Sequence, residues 1–204
     1  MDRRRYFDIM GAAPTAVTIV TTIEPAGEAE PAAPTTPPPG ARATPPPVAP
    51  AIPLPGAPAT QPPGAAPEAR GRPVGLTVSA VTSISAEPPI LAICLDLRSR
   101  TLPIVLRAGR FAVNFLRGDQ AELAARFAAP LADRFAGVHW RPGALGVPIL
   151  VDAALAHAEC LVEGRFVVGD HVVVLGRVVD GAPPPAGSRP LMYFRHGFSA
   201  WAGP

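Results

Sequence analysis

Lysine is absent from this sequence of 204 residues, so all 18 of its basic residues are arginines. The formal net charge is only +2, and the strongly basic surface typical of a nucleic-acid-binding protein is therefore not expected. An anionic ligand would have to be held by arginine side chains, hydroxyl groups or backbone amides, because no lysine ammonium group is available.

Cysteine is also scarce. Cys94 and Cys160 each lie in an apolar run, and the sequence has no C-x-x-C motif. Two cysteines cannot build a metal site unaided, and the four histidines lack ligand spacing, so no metal is expected. We predict two buried thiols and a reducing, cytoplasmic location. No apolar run approaches the length of a membrane span, and no membrane association is expected.

Proline is abundant, with 29 residues, and 15 of these lie in a Pro-rich tract at about 26–70, whose central part, Pro34–Pro67, has almost no charge. Such a composition predicts disorder with local polyproline II structure. Composition alone leaves the role of this tract open. The basic start RRRYF resembles a twin-arginine export signal. Against export, β-branched residues alternate over Thr15–Ile23, which is typical of a strand.

The remaining pattern predicts a mainly β fold, an antiparallel barrel with two or three short helices. We expect TSISAEPP to be a polar turn, Gly109 to end a helix, and Asp119 with Glu122 to form a capping box. AGVHWRPGALGVPIL is expected to be rich in loops. The predicted helices begin near Arg3, Ser99 and Asp119, and the predicted strands are Thr15–Ile23, Pro73–Ser79, Ile90–Leu95, Phe111–Leu116, Ala154–Val162, His171–Val179 and Leu191–Phe198.

Two polar clusters follow predicted strands. The first is a run of hydroxyl groups from Ser79 to Ser85, and the second is RSRT, Arg98 to Thr101, at a helix start where free backbone amides favour an anion. Either cluster alone is more simply explained as turn residues, helix caps and solvated arginines. Taken together they resemble two walls of one phosphate pocket. His171 opens a strand after a Gly-Asp turn, where it has either a structural role or a ligand contact.

Four longer segments carry a resemblance to a known family. GLTVSAVTSISAEPPILAICLDLRSRTLPIVLRAGRFAVNFLRGDQAELAARFA, DRFAGVHWRPG, GDHVVVLGRV and PLMYFRHGFSAW resemble the flavin reductase-like family, whose fold is the FMN-binding split barrel. YFDIMGAAPTAVTIVTT is similar to the opening helix and first strand of that family. The resemblance covers Tyr6–Thr22 and Arg72–Trp201, with two departures: Ala16 replaces the usual Gly, and Val81 stands where an aromatic residue is common.

The resemblance implies residue roles. His171 would lie near the nicotinamide and position it. The implied flavin-binding residues are Val78, Ser79, Ala80, Ser83, Ile84, Ser85, Arg98, Ser99, Arg100, Thr101, Asn114, Phe115, Arg126 and Phe127. The first ten belong to the segments that would hold the phosphate and ribityl groups, and the last four would contact the flavin from the side.

The resemblance also implies an activity and partners. The expected function is hydride transfer from NADH or NADPH to FMN or FAD, in a homodimer that supplies reduced flavin to a partner monooxygenase. Two alternatives are a flavin-binding electron carrier without useful NAD(P)H turnover, and an interaction protein that uses its Pro-rich tract.

The resemblance further implies one domain over residues 1–204. Thr15–Ile23 would be the first strand of the barrel, and the tract at 26–70 would be an insertion between the first two strands. A flexible loop about ten times longer than usual costs only about 2 kcal/mol in closure entropy, so the fold can carry it.

Overall fold

The computed structural model describes residues 2–25 and 71–201, so the predicted insertion at 26–70 lies outside the described residues. The helices in these ranges are α1 (Arg3–Met10), α2 (Thr101–Ala108) and α3 (Ala121–Ala128). The strands are β1 (Thr15–Ala16), β2 (Thr18–Pro25), β3 (Gly71–Val78), β4 (Val81–Ala86), β5 (Pro89–Asp96), β6 (Arg110–Leu116), β7 (Trp140–Pro142), β8 (Pro148–Leu150), β9 (Ala154–Val168), β10 (His171–Ala182), β11 (Leu191–Phe194) and β12 (Gly197–Ala200).

The central feature is a seven-stranded sheet in the order β3-β2-β6-β9-β10-β5-β4, in which every neighbouring pair is antiparallel. The sheet curls on itself. Val78 of β3 and Ile93 of β5, from opposite ends of the strand order, share one apolar cluster with Phe111 and Val174. This arrangement confirms the predicted mainly β fold and antiparallel barrel.

The predicted first strand is a central element of this sheet. β2 pairs with β3 on one side and β6 on the other, and residues 17–23 are all buried. Its threonines are tolerated inside because their hydroxyl groups donate to backbone carbonyls: Thr18 to Val78, Thr21 to Pro148 and Thr22 to Arg110, at 2.6–2.7 Å. At its end, Pro25 pairs with Gly71, so the residues that flank 26–70 are neighbours across the β2–β3 ladder.

Helix α2 forms largely as the sequence predicts. Ser99 Oγ accepts a hydrogen bond from the backbone N–H of Thr101 at 3.3 Å. At the other end, Gly109 adopts φ 64°, and its N–H donates to the carbonyl of Val105. Buried side chains of α2, including Leu102 and Val105, join the apolar core of the barrel.

Three local predictions were wrong. TSISAEPP is not a turn: most of it is β4, because its backbone pairs with β5. Asp119 does not cap α3, since its carboxylate accepts from the side chains of Arg117 and Gln120 instead. The predicted strand at 191–198 is a hairpin of β11 and β12, which turns at Arg195 (φ 46°) and His196 (φ 64°).

A network of polar side chains connects the β7–β8 hairpin to the outer face of the sheet. Asn114 in β6 donates through Nδ2 to Thr21 Oγ1 at 3.0 Å, and its Oδ1 accepts from the Leu150 N–H at 3.0 Å. The Glu159 carboxylate in β9 accepts from the N–H groups of Ala144 and Leu145 at 2.9 and 2.7 Å. These hydrogen bonds hold residues 136–150, which were predicted to be rich in loops, against the outer face of the sheet.

Candidate functional site

The predicted phosphate segment lies where β5 ends and α2 begins. Arg98 is engaged there by Asp96: its backbone N–H and Nε donate to Oδ1 at 2.7 and 3.1 Å, and Nη2 donates to Oδ2 at 2.8 Å. These hydrogen bonds lower the pKa of Asp96 to about 2, so the carboxylate is charged at neutral pH. The charge of Arg98 is therefore largely compensated before any ligand arrives.

Arg100 differs from Arg98. It stands at the N-cap of α2, is exposed, and makes no side-chain capping bond. A second arginine, Arg134, lies in the loop after α3. Arg134 Nε donates to the carbonyl of Ala129 at 2.9 Å and Nη1 to that of Gly75 at 2.8 Å. Burial, and then the positive charge of Arg100, lower the pKa of Arg134.

Neither guanidinium is compensated by an acid. In the ranges 2–25 and 71–201, no carboxylate lies within ion-pair distance of Arg100 or Arg134. Sequence reasoning missed Arg134 because it is far from Arg100 along the chain, and its segment DRFAG shows no anion motif of its own.

The two segments predicted to form a phosphate pocket, Ser79–Ser85 and Arg98–Thr101, lie near each other only in part. Ala80 lies beside the end of β5, where its carbonyl accepts from the Cys94 N–H at 3.0 Å. The rest of the hydroxyl run follows β4 away from α2, with Ser83 opposite Leu91. Along β5, Leu91 and Asp96 are five residue steps apart, which is about 16 Å at the usual rise of a strand. Ser83 is therefore about that far from the end of β5 where Asp96 lies. Only an extended ligand could contact both Ser83 and Arg100.

His171 is brought to the same end of the barrel. It faces Asp96 in the β10–β5 register, and the Leu97 N–H donates to the carbonyl of Asp170 at 3.0 Å. The imidazole Nδ1 is 2.7 Å from Asp170 Oδ1, and the side chain is 45% exposed. The Asp170 carboxylate holds this ring so that Nε2 is directed away from Asp170 and is available to a ligand.

Three of the residues implied in flavin binding are buried. Val78, Asn114 and Phe127 are 5%, 0% and 0% exposed. Val78 belongs to the barrel core, and Phe127 packs edge-on against Phe135. The side-chain amide of Asn114 forms hydrogen bonds with the backbone of β2 and β8. Their side chains support the surrounding structure from inside, and a contact with flavin stays a prediction. Phe115 is half-buried and packs against the barrel core.

Arg126 is also engaged within the fold. Its Nη2 donates to the carbonyl of Ala136 at 2.6 Å. Asp133 in the same loop accepts from the N–H groups of Phe135 and Ala136 at 2.8 and 3.1 Å. Arg126 therefore fixes the loop that carries Arg134.

A groove of about 880 Å³ opens beside Ser79 and Ala80. Its other walls come from α1 and from the β11–β12 hairpin, with Phe7, Tyr193 and His196 among them. The sequence offered no signal for this groove, because it is assembled from three distant segments. An apolar, partly aromatic wall beside the Ser79 hydroxyl fits the flat apolar ring of a flavin.

Two other classes of site were searched for. Among the described residues, no group of three or more histidine, cysteine or acidic side chains is arranged to hold a metal ion. Over the same parts of the chain, none of the helices has both the length and the apolar character needed to cross a membrane.

Comparisons with known proteins identify the family of this chain. The Flavin reductase like domain family matches residues 64–202. A flavin reductase (NADH) from Kitasatospora aureofaciens is 38% identical over 202 residues, covering 98% of this chain and 83% of that protein. The reductase subunit HsaB of a flavin-dependent monooxygenase from Mycobacterium tuberculosis is 39% identical over 60% of this chain and 66% of its own length.

A solved structure extends the comparison to the fold. Nitrilotriacetate monooxygenase component B from Mycobacterium thermoresistibile is similar with a TM-score of 0.73 and 29% identity, covering 98% of this chain and 87% of that protein. Both the family match and the relative from Kitasatospora span most of the sequence. The chain therefore belongs to the flavin reductase-like family.

Proposed function

We propose that this protein is an NAD(P)H-dependent flavin reductase that transfers hydride from NADH or NADPH to FMN or FAD. The observation that carries the proposal is the meeting of uncompensated arginines and a ligand-accessible histidine at one end of the barrel, in a chain of this family. The arginines supply an anion site and His171 a hydrogen-bonding group, while the nearby groove supplies an apolar wall.

The protein itself needs no acid or base for this reaction. Bound flavin would supply the hydride acceptor, and the chain's task is to hold and orient the two substrates. Arg100 would bind the anionic tail of the flavin, with Ser79 and Ala80 beside it. His171, held by Asp170, would position the nicotinamide through Nε2. This division of roles agrees with the lack of a catalytic constellation in the sequence.

We further propose that the protein is a homodimer. Helix α1 buries none of its residues within the described chain, and Tyr6, Phe7, Ile9 and Met10 are 44–54% exposed. Such a cluster of large apolar side chains favours contact with a second copy. We also propose a cytoplasmic location, which agrees with the two free cysteines.

The reduced flavin would pass to a separate monooxygenase. This proposal is supported by similarity to reductase subunits of flavin-dependent monooxygenases. No element of the described chain suggests a second reaction that would consume reduced flavin in place.

The test is the oxidation of NADH or NADPH, followed by the loss of its absorbance. Purified protein with free FMN or FAD should oxidise NADH or NADPH far faster than the flavin alone. Anaerobic stopped-flow bleaching of the flavin separates a reductase from a carrier, because a carrier would bind flavin and leave it oxidised. No oxidation above the flavin-only control, with either nicotinamide and either flavin, would contradict the proposal.

A further inference from the structure

The turn between β11 and β12 has a backbone conformation that its residues disfavour. Arg195 and His196 form the whole loop, with φ of 46° and 64°. A two-residue hairpin loop with positive φ at both positions usually contains Asn-Gly or Asp-Gly, because a Cβ is crowded in the left-handed region. A strained turn of this kind persists only where the surrounding contacts hold it.

Contacts with distant residues hold this turn. A turn one residue later would place Gly197 in a left-handed position, but it would shift the β11–β12 register by two residues. The observed register puts the rings of Tyr193 and Phe198 5.4 Å apart. The Arg195 N–H also donates to the carbonyl of Gly11, at the end of α1, at 3.0 Å. Tertiary contacts therefore select the strained turn over a relaxed one.

The turn places the His196 side chain in the groove described above, together with Phe7 and Tyr193. Gly11 lies directly against the imidazole: an added Cβ would be 3.4 Å from His196 Nε2 and 3.2 Å from the Phe7 carbonyl oxygen. Gly11 has φ −63°, which any residue adopts, so glycine serves here to make room. The imidazole is thus held between α1 and the hairpin, at the wall of the groove.

We propose that His196 binds flavin, with its imidazole against the isoalloxazine ring in this groove; the inference rests on the proposed function. The tricyclic flavin ring is the largest flat apolar group among the proposed substrates, and the groove offers it three ring-bearing side chains and about 880 Å³. An imidazole presents both a flat face and ring nitrogens, which suits a flat ring with polar edges. Because the turn already holds the imidazole in place, little side-chain entropy is lost on binding.

The two turn residues provide a matched pair for the test. Both have a left-handed backbone, but the Arg195 guanidinium lies over the Phe194 ring, 5.1 Å from its centroid. Riboflavin binding is measured by fluorescence quenching, because riboflavin carries the flavin ring without a phosphate. His196→Gly should raise the riboflavin Kd about three- to tenfold, as for loss of one contact, and Arg195→Gly should stay within about twofold of the wild type. Each variant should also raise the Tm by about 2–4 °C, because glycine relieves the left-handed strain.

His196→Asn separates the imidazole from the freedom of the turn. Asparagine tolerates the left-handed conformation, so this variant keeps the turn and lacks the ring. It should weaken riboflavin binding as His196→Gly does. An unchanged Kd in both His196 variants, or equal weakening in Arg195→Gly, would overturn the proposal.

Two other occupants of the groove would give different results. If the groove held the nicotinamide, the KM for NADH would rise in the His196 variants at saturating flavin, while the riboflavin Kd stayed unchanged. If a second copy of the chain filled it, sedimentation would show a changed oligomeric state with the same unchanged Kd. Either result would overturn the contact with flavin. A wild type that binds riboflavin through His196 but oxidises no NAD(P)H would instead overturn the proposed function and support the contact.

Discussion

The polar side chains of this protein occupy two regions that differ in how they are satisfied. Under the β7–β8 hairpin, Thr21, Asn114 and Glu159 are 0–1% exposed, and all three hydrogen-bond to the protein backbone. At the end of β5, Arg100 and His171 are accessible and keep donors or acceptors free of backbone partners. The polar groups of the first region are satisfied within the protein, whereas those of the second are free to bind a ligand, as we propose.

The comparison teaches how to separate supporting residues from binding residues in this family. Asn114 and Arg100 are both polar, and the family resemblance implied a role in flavin binding for both. Asn114 uses both its Nδ2 and its Oδ1 in hydrogen bonds within the fold, so its substitution should affect folding. Arg100 has all of its donors left over, so its substitution should affect binding and leave the fold intact.

The largest effect is expected at Asn114. Asn114→Leu keeps the side-chain volume but leaves the buried Leu150 N–H and the Ile19 carbonyl without their partner. Unfolding in urea should show a loss of about 2–4 kcal/mol, because each stranded buried group costs its desolvation energy. Thr82→Ala, on the exposed edge strand β4, is the control and should stay within about 0.5 kcal/mol of the wild type. If Asn114→Leu were as stable as the control, the network would not be what holds the hairpin.

A smaller effect is expected at His171, on kinetics alone. His171→Ala should raise the apparent KM for NAD(P)H about two- to tenfold, the range for loss of one hydrogen bond, with flavin affinity unchanged. His139 is the matched control, since its Nδ1 is similarly 2.9 Å from Asp152 Oδ2. His139→Ala should behave as the wild type. Loss of flavin binding in His171→Ala, with normal NADH kinetics at saturating flavin, would reassign the residue.

The smallest effect is expected at the exposed Asp96–Arg98 pair. The pKa of Asp96 falls from 3.8 to about 2 in the folded protein. The pair therefore stabilises the fold above about pH 4, and this contribution is lost as the pH falls toward about 2. Asp96→Asn should cost less than about 1 kcal/mol at pH 7, because surface pairs are screened by solvent. The difference from the wild type should vanish at the acid end; a difference independent of pH would show that charge is not its cause.

Much of the fold could be predicted from local sequence, and particular residues show why. The β-branched run at 15–23 favours a strand in any context, and Gly109 permits the left-handed turn that ends α2. The β4 strand could not be predicted, since Thr82 and Ser83 are equally common in turns and only pairing with β5 makes them a strand. Asp119 likewise looked like a cap until Arg117 competed for its carboxylate.

The sequence by itself determined most of the barrel strands, the approximate helix starts and the family. It also determined that arginine is the basic side chain left to bind anions, because lysine is absent. Short-range pattern suffices for these, because hydrophobic period and turn chemistry act within a few residues. Only the tertiary structure decided that Arg98 pairs with Asp96, that Arg134 is held by the carbonyls of Ala129 and Gly75, and that Asn114, Val78 and Phe127 are buried. Those outcomes depend on which distant strands and loops become neighbours, and hydrogen-bond partners and burial are set by that packing.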